Sequence, residues 1–215
     1  MATTARSGLP EVWPSNITGL LVGEKSCVFA AWLPAHFRIE KRPNTFDFVT
    51  WRVAHTELVS KIVKTYERAG WTCRVEDQNR FRLIGQTCVL VGKPDIIAKK
   101  GDRVMVIDAK TGARKDEHGL QVAIYMIAIP LAWGSPTLLI DGEVCYSEPP
   151  SVFVELEFVE PIRDKLFRLL REIGQGPRPE PVPSERECKY CPVTEADCAA
   201  RWQGEPWAGV IVSEF

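Results

Sequence analysis

Residues 91–112 read Val-Gly-Lys-Pro-Asp-Ile-Ile-Ala-Lys-Lys-Gly-Asp-Arg-Val-Met-Val-Ile-Asp-Ala-Lys-Thr-Gly. Two short apolar runs flank Lys-Lys-Gly-Asp, and the second, Val104 to Ile107, is apolar without alternation, as in a strand covered on both faces. The stretch is expected to form a hairpin whose second strand is central. Asp108 and Lys110, two apart on that strand, share a face. Asp95 joins them if it pairs opposite Asp108 or Val106, which a turn of two or four residues achieves and a three-residue turn does not unless a bulge intervenes.

Outward from the hairpin, the pattern is mixed. Before it, Trp51 to Gly70 carries Leu58, Val59, Ile62, Val63 and Tyr66 at helical spacing, with Gly70 as the stop. Trp71 to Leu90, rich in Thr, Val, Ile and aromatic residues, predicts two or three strands in a meander. After the hairpin, Glu117 to Ile129 is apolar almost all round, which predicts a buried helix ended by Pro130. Leu138–Ile140 and Glu143–Tyr146 around Asp141-Gly142 predict a second hairpin, Val152 to Phe158 a further strand, and Ile162 to Ile173 an amphipathic helix stopping at Gly174.

These elements imply an α/β (α+β) class with a mixed sheet flanked by helices. Residues 1–20 are expected to be loose, 21–174 to form the core, 175–183 a spacer and 184–215 a cysteine-bearing tail. The spacer places proline at every second position from 177 to 183, an extended polyproline-like run. At ~3.1 Å per residue, the eight residues 176–183 carry the chain ~25 Å, so the tail can return to the N-terminal end of the fold.

The 215-residue chain is 45% apolar and 26% charged, which argues against wholesale disorder and for one domain with an appendage. A net charge of -1 provides no global basic field, so any nucleic-acid binding must come from local patches. No uncharged apolar run approaches the ~18 residues that span a bilayer, and the N-terminus lacks a signal-like apolar stretch. No membrane partner and a cytoplasmic location are expected.

Two carboxylates on one buried face repel and desolvate badly unless a divalent cation neutralises them, and aspartate oxygens suit magnesium or manganese. Lys110 beside such a cation could orient a water or neutralise charge building on a phosphate, so the chemistry implied is phosphodiester hydrolysis. Bare strand-end aspartates with a solvated lysine are the simpler reading, and three further residues weigh against it. Gln121 and Tyr125 lie four apart on a nearly all-apolar helix, where their polar ends need an internal partner such as Lys110 or a substrate phosphate. His55 faces inward with Leu58, Val59 and Ile62, as a hydrogen-bonded core histidine or as a metal ligand. Basic residues in two knots, Lys99, Lys100, Arg103, Lys110, Arg114 and Lys115, then Arg38, Lys41 and Arg42, are a solvated face or phosphate contacts.

Cys188, Cys191 and Cys198 form C-x2-C-x6-C in a tail with almost no aliphatic core of its own. Both tetrahedral zinc and iron-sulfur clusters take such spacings. A fourth ligand must come from afar. Cys27 is favoured, with His36 or Cys145 as rivals, and it would staple the two ends of the chain together. The remaining cysteines lie in expected strands, where buried apolar thiols are common.

Taken together, these residues resemble the RecB-like branch of the PD-(D/E)XK nucleases, specifically the CRISPR-associated Cas-four exonucleases and related iron-sulfur nucleases of phages and helicase-nuclease complexes. Gly92-x2-Asp95, Val106-Ile107-Asp108-Ala109-Lys110-Thr111-Gly112 and Gln121-x3-Tyr125 look like successive motifs of that branch, and His55 falls where its motif histidine would. The likeness runs from Cys27 to Cys198. It implies a restriction-endonuclease-like core in which His55, Asp95, Asp108 and the backbone after Asp108 ligate magnesium or manganese. Lys110 would serve catalysis, supported by Gln121 and Tyr125. It also implies a 4Fe-4S cluster on Cys27, Cys188, Cys191 and Cys198, and partners in CRISPR adaptation or recombination. Two positions depart from the pattern: the acid before the lysine is Asp108 rather than glutamate, and Cys27 is followed by Val-Phe-Ala rather than proline and a basic residue.

The expected function is a metal-dependent DNA nuclease acting on single strands or free ends, an exonuclease with an iron-sulfur clasp. Its rival is a non-catalytic nucleic-acid-binding or partner-docking module with a structural zinc or iron-sulfur centre.

Overall fold

A computed structural model describes residues 3–43 and 46–204. In chain order the elements are β1 (Thr4–Ala5), β2 (Glu11–Val12), α1 (Pro14–Leu21), α2 (Phe29–His36), β3 (Phe37–Arg38), α3 (Phe48–Arg68), β4 (Thr72–Val75), β5 (Phe81–Ile84), β6 (Val89–Gly92), β7 (Ile96–Lys100), β8 (Arg103–Lys110), α4 (Asp116–Ala132), β9 (Asp141–Tyr146), β10 (Val152–Val154), α5 (Leu156–Gln175) and α6 (Glu185–Tyr190).

The five-stranded sheet runs β10-β9-β8-β7-β4, with β8 and β9 parallel and every other pair antiparallel. The mixed sheet and its central β8 follow the sequence reading. Successive side chains of β8 alternate between two cores. Met105, Ile107 and Ala109 pack with Leu58, Val59 and Ile62 of α3, whereas Val104 and Val106 join the larger core built on α4, α5, α1 and α2. Each fully buried aliphatic side chain of this kind contributes roughly 1.5–3 kcal/mol. The helix α4 is buried on every side from Val122 to Pro130, as its unbroken apolar run requires.

Several boundaries differ from expectation, each for a local reason. Helix α3 begins at Phe48 because Asp47 caps it, accepting from the amides of Val49 and Thr50. Asp141-Gly142 is not a turn but the start of β9, and residues 138–140 form no strand. The glycine serves close approach: a methyl group added to Gly142 would lie 2.5 Å from Met126 Sδ and 2.6 Å from Val122 Cγ1 of α4. Strand β10 stops at Val154 and α5 takes over at Leu156. Gly174 does not end α5 either, since it lies where an added Cβ would meet Thr87 Oγ1 at 2.6 Å. Pro130 is accommodated within the last turn of α4, where its missing amide forgoes one hydrogen bond, and the helix ends two residues later. The strands β4 and β5 belong to different sheets, so residues 71–90 are no simple meander.

The N-terminal stretch, read from sequence as loose, contributes β1 and β2 and the helix α1. β1 pairs with β3, β2 pairs in parallel with β6, and Val12 and Ile17 are fully buried. No helix among the described residues is long and apolar enough to cross a membrane.

Candidate active site

The β7–β8 register aligns Ile96 with Ile107 and Lys100 with Arg103, leaving Gly101-Asp102 as a two-residue turn. Extended by one position, the same register sets Asp95 opposite Asp108. Both carboxylates therefore fall at the end of the sheet where α3 and α4 meet its opposite faces.

Asp95 Oδ2 accepts the Ala109 amide at 2.8 Å and lies 3.3 Å from His55 Nε2, so the bond to Asp95 holds the imidazole's pKa above its ordinary value despite partial burial. Asp108 is 2% exposed. Its Oδ1 accepts from Gln121 Nε2 at 3.3 Å. Gln121 also donates to the Tyr125 hydroxyl at 3.1 Å and accepts from Lys110 Nζ at 3.1 Å. Gln121 thus ties Asp108, Lys110 and Tyr125 together. The other oxygen of Asp108, Oδ2, is buried and pairs with Lys110 Nζ at 2.6 Å. Burial pushes the Asp108 carboxyl up to about 6 even though Lys110 opposes the shift. Burial likewise raises the Tyr125 phenol, keeping it a neutral hydroxyl.

Four neighbours were not singled out from sequence. Asn79 donates to the carbonyl oxygens of Arg74, Pro94 and Asp95, and the Glu76 amide donates to Asp95 O at 2.8 Å, so the backbone presenting Asp95 is gripped from one short 3-10 turn. Glu76 has a φ of 43°, an unfavourable conformation for a residue with a Cβ. On the other side of the site, His118 Nδ1 lies 3.2 Å from the Tyr146 hydroxyl, and burial together with the Lys110 charge pushes the imidazole down to about 4. Nothing in the local pattern of residues 76–79 or 118 marks them, because their partners are distant in sequence.

The basic residues separate. Lys99 and Lys100 stand at the turn end of the hairpin, five residues from Asp95 or roughly 16 Å along the strand, and Lys100 is spent on the Ala69 carbonyl at the end of α3. They are not beside the carboxylates, because the hairpin extends away from the site. Arg114 is nearer: it donates to the carbonyls of Glu148 and Pro150 and lies 4.9 Å over the Tyr146 ring. Lys115 pairs with Glu117 at 3.4 Å. Arg38 ends β3, and Lys41 and Arg42 approach the tail, with Arg42 N donating to Pro192 O.

Contacts join the tail to the N-terminal part. Glu187 accepts the amides of Ser26 and Cys27, and Thr3 donates to Asp197 at 2.6 Å. Cys27, Cys188, Cys191 and Cys198 line one cavity of about 410 Å³, whereas His36 binds the Ile173 carbonyl and Cys145 lies in β9, neither of them on that wall. No disulfide joins any two of the seven cysteines. Burial raises the Cys191 and Cys198 thiols, and the neighbouring thiols add to it. Arg201, 6% exposed, donates to the carbonyls of Cys188, Cys191 and Val193 and so ties the cysteine loop to its own end. Residues 205–215 of the tail lie outside the described residues.

Among the described residues, no three His, Cys, Asp or Glu side chains are gathered closely enough to hold a metal ion as they stand. The donor chemistry of the sheet-end site nevertheless fits a hard divalent cation: two carboxylates, one of them buried, and one imidazole.

The sequence of residues 26–196 matches the PD-(D/E)XK nuclease superfamily. The chain belongs to this superfamily. Membership makes it a metal-dependent nuclease, a hydrolase of nucleic-acid phosphodiesters in a family that generally uses magnesium or manganese. The crystal structure of SSO0001 is similar in fold, with a TM-score of 0.50 at 15% identity, covering 92% of this chain and 90% of that one. No curated protein matches in sequence. In this PD-(D/E)XK protein Asp95, Asp108 and Lys110 lie together at one end of β7 and β8.

Proposed function

We propose that this superfamily member is a metal-dependent DNA exonuclease of the RecB-like, Cas-four-resembling type, acting on single strands or free ends. One observation carries the reading: Asp95 and Asp108 meet across β7–β8 with Lys110 2.6 Å from a buried Asp108 oxygen. His55, Asp95 and Asp108 would hold magnesium or manganese, which supplies Lewis-acid activation of the phosphodiester and of water. Lys110 places its positive charge where a phosphate would gain negative charge during attack. Gln121 holds Lys110 and Asp108 by hydrogen bonds and donates to the Tyr125 hydroxyl. The Ala109 amide keeps Asp95 Oδ2 turned toward β8.

For the tail we infer a 4Fe-4S cluster on Cys27, Cys188, Cys191 and Cys198, with zinc as the alternative. The thiols sharing one cavity wall support it, as does the Glu187 contact that brings Cys27 to the tail. Protein purified without oxygen should be brown, and a colourless zinc-containing preparation would refute the cluster. The exonuclease reading is tested with manganese on linear strands labelled at the 5′ or 3′ end and on closed single-stranded circles. Linear strands should shorten progressively while circles survive, and cut circles would overturn end-directed action.

A further inference from the structure

Phe46, Phe48 and Trp51 cluster around the start of α3, and all three face water, at 52%, 57% and 40% exposure. The Phe46 and Phe48 rings meet edge to face at 4.9 Å, and Phe46 lies 6.2 Å from Trp51. Val49 and Val53 on the next turns are exposed as well. Further along the same helix, Leu58, Val59 and Ile62 are buried, so α3 hides its apolar residues everywhere except at this end. A contiguous water-facing apolar patch of this kind marks a binding surface.

The patch is continuous with the catalytic groups. Trp51 stacks on His55 with ring centroids 5.0 Å apart and planes 29° from parallel, and His55 Nε2 lies 3.3 Å from Asp95 Oδ2. Its charge is suited to an anionic strand: between Asp47 and Glu57 the helix carries one charged residue, Arg52, and the Asp47 carboxylate is taken up by the helix amides it caps. Aromatic rings beside a phosphodiester site can take any nucleobase face, but only when that face is not already stacked within a duplex.

We propose that Phe48 and Trp51, with Phe46 beside them, form a stacking platform for unpaired nucleobases of the strand whose phosphate enters the Asp95–Asp108–Lys110 site. The inference rests on the nuclease reading above and deepens it: the platform selects single-stranded segments and frayed ends over paired duplex. Trp51 positions His55 by stacking and also offers its outer face to a base. Phe48 has no ring contact with His55, so it reports on the platform separately.

The test is fluorescence anisotropy with a labelled oligodeoxynucleotide of about twelve nucleotides, calcium replacing manganese to hold back cleavage. Phe48→Ala and Trp51→Ala should each weaken single-strand binding by about 10-fold, and Phe48→Tyr should restore it to within about 2-fold of wild type. Abasic sites in the strand should weaken wild-type binding by a similar factor and add little to the Phe48→Ala loss, while affinity for blunt duplex stays unchanged. Unaltered single-strand binding in both alanine variants, with wild-type manganese-dependent cleavage intact, would overturn the platform and leave the nuclease reading standing. A wild type that neither binds nor cleaves any nucleic acid would sink both. Alanine variants that bind DNA normally but dissociate a self-associating wild type in sedimentation would show the rings to be an interface between copies and refute the platform.

Discussion

Lys110 Nζ lies 2.6 Å from Asp108 Oδ2 and also donates to Gln121 Oε1, so one ammonium pairs the buried carboxylate and is itself held by α4. Even with that pairing, burial holds the Asp108 carboxyl pKa above its ordinary value, so keeping it ionised costs the fold some of its own stability. Such a cost is explained if the buried carboxylate faces a cation and the lysine faces a phosphate.

Replacing Asp108 by Asn should therefore stabilise the metal-free protein. Burial raises the folded carboxyl pKa to about 6, above its ordinary value, so the associated stability is present at low pH and is lost as pH rises through about 6. In EDTA at pH 8, Asp108→Asn should melt several degrees higher than wild type, a gain of order 1–3 kcal/mol. Near pH 4 the difference should vanish. His118 runs the opposite way: its folded pKa is pushed down to about 4, so its contribution is present above its ordinary pKa and lost as pH falls toward that value. Comparing variant with wild type at each pH cancels that contribution. A less stable Asp108→Asn protein at pH 8 would contradict the account.

Gly142→Ala should destabilise the fold by about 1–3 kcal/mol, because the new methyl would overlap Met126 and Val122 where α4 crosses β9. Urea denaturation measures it. A neutral outcome would mean that Asp141-Gly142 is no close-approach site.

Arg201→Ala should release the tail. The change leaves the carbonyls of Cys188, Cys191 and Val193 without their buried donor, a loss of roughly 2–4 kcal/mol on the tail's own docking. Limited proteolysis should cut between the spacer and Cys198 far faster than in wild type, with the nuclease core persisting as a fragment. Equal cleavage rates would contradict the assigned role.

What the sequence revealed and what it hid divide along the range of the interactions. The unbroken apolar run of β8 and the two-residue spacing of Asp108 and Lys110 are local, and they set the sheet face correctly. Gln121 and Tyr125 were legible because polar groups on an all-apolar helix must find partners inside. Asn79, Glu76, His118 and Arg201 act on carbonyls, hydroxyls and amides that only the tertiary fold brings near, so no pattern announced them. The glycines misled for the same reason. Gly142 and Gly174 read as a turn and a stop, but they exist to let a helix side chain and the Thr87 backbone come close. The lysines at 99 and 100 looked adjacent to the acids in sequence, while a straight hairpin carries them to its far end.

The central claim is that Asp108 and Lys110 together cleave phosphodiesters with a bound divalent metal. It is tested most directly by following degradation of end-labelled single-stranded DNA in manganese by wild type, Asp108→Ala and Lys110→Ala at equal folded concentration. Wild type should degrade the strand and each variant should be slower by about 100-fold or more, with EDTA abolishing all activity. Full manganese-dependent degradation by both variants would contradict the account.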